Sequence, residues 1–187
     1  IEKVIEEIRE ELGAEYGAYE RSDFKRLAML EPYIRYFKSF RKTYHIMLQL
    51  ESFIKRERGL PRIHPFVTAY FLTELKTGVL CSIHDADAVQ GELRLLRTDG
   101  SERLSLFNGE ERKAPEGDAA LFDEERLLTC VTQGQDSRSM VGTSTRRAYV
   151  AAYGAPGVDE ASLKNALEEL ASILDRVDTS GAEEGKN

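Results

Sequence analysis

The chain has 187 residues, long enough for a core of its own, since a chain of this size buries roughly 70% of the surface it exposes when unfolded. Its 33 acidic residues against 26 basic give a net charge of −7, which excludes a protein that coats nucleic acid through a general positive field. No run approaches the roughly 20 uninterrupted apolar residues of a membrane span. The Glu-rich start lacks the basic-then-apolar order of a signal peptide, so a cytoplasmic location with neither membrane nor DNA as partner is expected.

Ile1, Val4, Ile5, Ile8 and Leu12 recur at helical spacing and Gly13 interrupts them, which predicts an amphipathic first helix ending there. Ser22 stands where it can cap a second helix carrying Phe24, Leu27 and Leu30. A third helix begins near Pro32, whose fixed φ suits a first turn, and passes Ile34, Phe37 and Phe40. A fourth runs through Met47, Leu48, Leu50 and Ile54 to Gly59. Leu60 to Pro65 should be extended, because each of its prolines restricts the residue before it. Phe66 to Leu75 returns to helical spacing, and Gly78 closes it.

Beyond Gly78 the pattern shortens to strands. Val79 to Ile83 is one, and Glu92 to Arg97 and Glu102 to Phe107 flank Thr98-Asp99-Gly100-Ser101, which reads as a hairpin turn. Ala119 to Phe122, Leu127 to Val131 and Arg146 to Tyr153 follow. Asp159 then caps a final helix whose Leu163, Ala166, Leu167, Leu170, Ile173 and Leu174 form one apolar face, expected to pack on the sheet. From Thr179 the composition predicts a disordered polar tail. The fold class is therefore α+β.

Several groups are candidates for chemistry. Ser82-Ile83-His84-Asp85-Ala86-Asp87 follows a strand, where side chains commonly reach a cleft; its carboxylates and imidazole suit either proton transfer and metal binding or a turn capped by Asp85 and Asp87. No second cluster is spaced to complete a metal site, so neither metal nor cofactor is expected. Ser82 and His84, two apart, share one face of the strand. His45 and His64 read as packed histidines. The loop Thr132 to Ser139, including Gly134, is either a cradle for an anionic group or an ordinary polar connection. Cys81 and Cys130 sit in apolar runs and are expected as unbonded thiols. From Arg35 to Arg62 eight basic residues, among them Arg41, Lys42, Arg56 and Arg62, face only Glu51 and Glu57, giving either solvated helix faces or an RNA-facing surface.

Gly59-Leu60-Pro61-Arg62-Ile63-His64-Pro65, Leu75-Lys76-Thr77-Gly78, His84-Asp85-Ala86-Asp87 through Gly91, and Gly134-Gln135-Asp136-Ser137 occur in this order. With the preceding Phe40-Arg41-Lys42-Thr43-Tyr44 and the later Thr145 to Gly154, they resemble the editing domain of the phenylalanyl-tRNA synthetase β subunit, the B3/B4 domain, and more closely its free-standing relatives. The resemblance implies residues 1–31 as a helical extension, 32–177 as the domain and 178–187 as a tail. It also implies a helical part packed on a β-sandwich-like sheet core in three layers, with a C-terminal helix. In the synthetase that domain accepts the 3′ end of mischarged tRNA and hydrolyses the tyrosyl ester. The synthetase histidine three positions before the aspartate that matches Asp85 is Ser82 here, and its side-chain-reading glutamate falls on Ala151 or Tyr149. Thr129, Cys130 and Thr132 match pocket-lining positions. The resemblance implies recognition of an amino acid or of an aminoacyl-tRNA 3′ end, with or without deacylation in trans. The alternative is a small-ligand or protein-interaction domain that kept the fold, because fold alone does not fix function.

Overall fold

A computed structural model of the chain describes residues 1–55, 60 and 64–183, with side chains through 177. The chain forms two compact units, Ile1–Cys81 with Ala152–Asn187, and Ser82–Ala151.

The first unit is helical. Helix α1 (Glu2–Tyr16) buries Val4, Ile5, Ile8, Leu12 and Tyr16 along one stripe. It passes Gly13, where the sequence predicts its end, because Tyr16 lies one turn further on the same buried stripe; the helix stops instead at Gly17, whose N–H reaches Gly13 O at 2.9 Å. Helix α2 (Arg21–Phe24) is capped by Glu20 and Asp23 reciprocally, not by Ser22. Pro32 lies in the first turn of α3 (Glu31–Ser39), as its ring geometry predicts. Helix α4 (His45–Ile54) ends at Lys55, and the expected stop at Gly59 lies outside the described residues. Of the segment predicted to be extended, residues 61–63 also lie outside them; His64 is extended, at φ −159°, and its ring accepts from Phe66 N.

Helix α5 (Pro65–Thr77) closes on Gly78 at φ +67°, where a side chain would be strained and a Cβ would also stand 2.9 Å from Leu30 Cδ2. Tyr33 and Tyr44 stack at 5.0 Å, donating their hydroxyls to Tyr153 O and Gly78 O. Helix α6 (Glu160–Glu183) starts where Asp159 Oδ1 accepts from Ser162 N at 2.7 Å. Its buried Ala166, Leu170 and Ile173 lie against α5 and α1. Toward the sheet, its Leu163 and Ala166 pack with Val79, Cys81 and Ala152, at or beside strand ends, while α5 is its main partner. The helix continues past Thr179, where the composition predicts a tail.

The strands are β1 (Leu80–Asp85), β2 (Arg94–Arg97), β3 (Arg103–Ser105), β4 (Glu111–Lys113), β5 (Ala119–Phe122), β6 (Leu127–Cys130), β7 (Gly134–Gln135) and β8 (Ala148–Tyr153). Strands β1 and β8 pair, and the chain passes between the two units within each of them. In the second unit β2, β5, β6 and β7 form a four-stranded antiparallel sheet in that order, and β3 pairs with β4. The predicted hairpin across Thr98-Asp99-Gly100-Ser101 is absent: Leu95 pairs with Leu121, and Leu104 with Arg112. The turn is a corner instead. Glu102 accepts from Asp99 N and Gly100 N, and Thr98 N reaches Asp118 O at 2.9 Å, so the strands on either side join different sheets. Leu104, Ala114, Ala120, Leu127 and Cys130 form the apolar centre of this unit, with Leu106 and Phe122 against them. The chain is thus a mixed α+β protein whose last described element is helix α6.

A candidate ligand site around His84

Alternation along β1 puts Ser82 and His84 on one face, and both are buried. Ser82 Oγ lies 2.8 Å from His84 Nε2, and Thr129 Oγ1 of β6 lies 3.1 Å from the same nitrogen. On the other side of the ring, Nδ1 is 2.9 Å from Ser139 Oγ and 3.1 Å from Gln135 Nε2. Four polar side chains from β1, β6, β7 and the turn Ser137–Ser139 therefore hold one imidazole that has no exposed surface.

Gln135 Nε2 also donates to Ile83 O at 2.7 Å and to Ser139 O at 3.2 Å, and Ser139 Oγ donates to Asp136 O at 3.3 Å, so the groups that hold the ring are themselves anchored to backbone carbonyls. Burial pushes the pKa of His84 down to about 4, against a smaller upward pull from Asp123, so the ring is neutral at pH 7.

The neighbouring carboxylates serve the backbone. Asp85 accepts the Thr145 hydroxyl at 2.6 Å and the Asp87 N–H at 2.9 Å, and these bonds hold its pKa below the usual carboxylate range, led by Thr145. Asp87 pairs with Arg147 at 2.5 Å. Of the two readings of this segment, the capped turn is the one present. Among the described residues no group of three or more His, Cys, Asp and Glu could hold a metal ion.

Cys130 and Thr132 turn toward a different residue. Asp118, fully buried, accepts through Oδ2 from Cys130 Sγ at 2.9 Å, Thr132 N at 2.9 Å and Thr132 Oγ1 at 2.7 Å. Of the residues singled out in the sequence, the fold brings Ser82, His84 and Thr129 together. It ties Asp85, Cys130 and Thr132 to other partners, leaves Gly134 exposed on β7 at φ +108°, and leaves Ala151 half-buried on β8. Tyr149 is exposed.

Gln135 and Ser139, which position the ring, and Asp118 are not evident as partners in the sequence. Asp118 had one signal, the turn Pro115-Glu116-Gly117-Asp118 that places it at the mouth of β5. Asp136 is buried beside them, where burial pushes its pKa up but Arg138 and the N–H groups of Ser105 and Arg138 outweigh it and bring it down. That ion pair fixes the loop that carries Gln135 and Ser139.

Both cysteines are free thiols, and burial raises their pKa. His64 caps α5, while His45 touches Phe37 and Tyr44 but is otherwise exposed. Arg41 and Lys42 are exposed, and Arg56 and Arg62 lie outside the described residues. Among the described residues no helix is long and apolar enough to cross a membrane.

A family model of the B3/4 domain matches residues 30–178. The chain belongs to the B3/4 domain family. Curated proteins yield no match. The match spans every residue of the His84 cluster, so the buried imidazole lies inside the B3/4 domain proper and not in the segment that precedes it.

Proposed function

We propose that this B3/4 domain recognises the aminoacyl end of a tRNA through the Ser82 and Thr129 hydroxyls. The observation that carries this reading is the 2.8 Å contact between Ser82 and a neutral, enclosed His84. Because the ring has no exposed surface, it acts on a ligand only by orienting the two hydroxyls beside it. The family's link to the phenylalanyl-tRNA synthetase β subunit supports a tRNA-related ligand. Any ester cleavage would run on a positioned water, where orientation supplies much of the rate.

Ala151 is apolar and Tyr149 is exposed, so neither supplies a buried carboxylate to read a tyrosine hydroxyl. Discrimination between tyrosyl and phenylalanyl esters should then stay below about tenfold, against about 10⁴ to 10⁵ for a site built to pair that hydroxyl. The test is binding of a non-hydrolysable aminoacyl-amide mimic of the tRNA end, alongside deacylation of tyrosyl- and phenylalanyl-tRNA. Ser82→Ala should weaken mimic binding several-fold. Folded protein that binds no charged end and deacylates neither tRNA would instead favour an interaction domain, the reading that the net charge of −7 supports.

A further inference from the structure

A second site of different chemistry lies in the helical unit. Lys25 at the end of α2, Lys38 in the last turn of α3, and Lys42 and Thr43 after it line a pocket of about 180 Å³ with Ile34, Tyr44 and Met47. Tyr44 and Met47 are buried and form an apolar floor, while the three lysines are exposed around the rim. Among the described residues that line it there is no carboxylate. In a chain of net charge −7, three lysines around one concave surface make a local excess of basic residues.

Between Lys38 and Lys42, Arg41 has φ +58°, the one non-glycine residue with a positive φ among the described residues. It occupies the left-handed position that closes α3, where Lys42 N returns to Phe37 O at 2.9 Å, so this turn fixes the backbone that carries Lys42 to the pocket.

We propose that this pocket binds a phosphate group of a nucleotide, as a phosphomonoester or as a phosphodiester of RNA. Three flexible point charges suit a multivalent anion better than a single carboxylate. At about 30 Å³ per water, the volume holds roughly six waters, enough for a phosphate and part of the sugar that would lie on the apolar floor. This site does not depend on the reading of Ser82 and His84.

The experiment follows backbone amide shifts of the full chain at low ionic strength in three titrations: inorganic phosphate, a 5′-nucleotide and a short RNA hairpin. Saturable shifts centred on Lys38, Lys42, Thr43 and Tyr44 are expected. Binding of nucleotide and phosphate alone assigns the monoester, and binding of RNA alone assigns the diester. Lys25→Ala, Lys38→Ala and Lys42→Ala combined should lower affinity at least tenfold with an unchanged circular dichroism spectrum, while Lys164→Ala on α6 should have no effect. For RNA, the slope of log K against log salt should flatten by up to about 0.7 to 0.9 for each phosphate that the variant no longer neutralises. Shifts centred elsewhere, affinity unchanged in the triple variant, or no binding in any of the three titrations would overturn the proposal.

Discussion

Asp118 Oδ2 receives three hydrogen bonds at once, from the Cys130 thiol, the Thr132 hydroxyl and the Thr132 N–H, at 2.9, 2.7 and 2.9 Å. One fully buried oxygen thus fixes the end of β6 and the start of the loop that leads to Gln135.

Asp118→Ala leaves those donors buried without an acceptor and should destabilise the protein by about 3 kcal/mol, since each orphaned buried group costs about 1–3 kcal/mol. Asp118→Asn keeps one carbonyl oxygen and should cost about half as much. Urea unfolding of both variants checks the order. A loss below about 0.5 kcal/mol for the alanine variant would mean that the loop is held by other contacts.

Acid should weaken the protein through the His84 ring. The folded pKa of about 4 lies below the unfolded value near 6.5, so between them the unfolded chain binds a proton that the folded one does not. Stability from His84 is present above pH 6.5 and is lost as pH falls toward 4, by an amount on the order of 3 kcal/mol for a ring this buried. The lowered carboxylates Asp85, Asp123 and Asp136 add their loss at still lower pH. Thermal unfolding across this range should show the decline, and His84→Gln should flatten its upper part.

Glu74 has the opposite sign. It is buried in the helical unit, its Oε1 accepts from Cys81 N at 2.9 Å, and burial raises its pKa well above the usual value. Stability is full below its unfolded pKa and falls as pH rises through the folded one. Glu74→Gln keeps the acceptor for Cys81 and removes the ionisation. The variant should therefore gain stability relative to wild type at pH 8 and lose that advantage at pH 4. An equal difference at both pH values would show that Glu74 is already ionised in the folded state.

Arg41→Gly relieves a left-handed residue worth about 1–2 kcal/mol, less about 0.5–1 kcal/mol of added chain entropy on unfolding. A net gain of about 0.5–1 kcal/mol in stability is expected. Urea unfolding of the variant checks it, and no gain would mean that the Arg41 side chain makes a compensating contact.

The sequence was most legible where local rules decide the outcome. The stripe Val4, Ile5, Ile8 and Leu12 marks α1 by periodicity, Ala119 to Phe122 marks β5 to the residue, and Gly78 ends α5 because a left-handed stop needs glycine. It was least legible where the partner is distant. Thr98 to Ser101 has hairpin chemistry, but Thr98 is held by Asp118, 20 residues away, and that contact routes β2 and β3 into separate sheets. For the site, Ser82 and His84 were visible as neighbours on one strand. Gln135 was not, because its hold on His84 spans 51 positions and has no pattern within its own loop.

The split of the helical unit into Ile1–Cys81 and Ala152–Asn187 bears on how the protein is made. A ribosome delivers all of Ser82–Ala151 before it delivers α6, whose Leu163 and Ala166 pack with Tyr70 of α5 only once that whole segment has been made. The middle of the chain can therefore mature while the outer unit still exposes its apolar helices, and it is that outer unit that most needs shielding during translation.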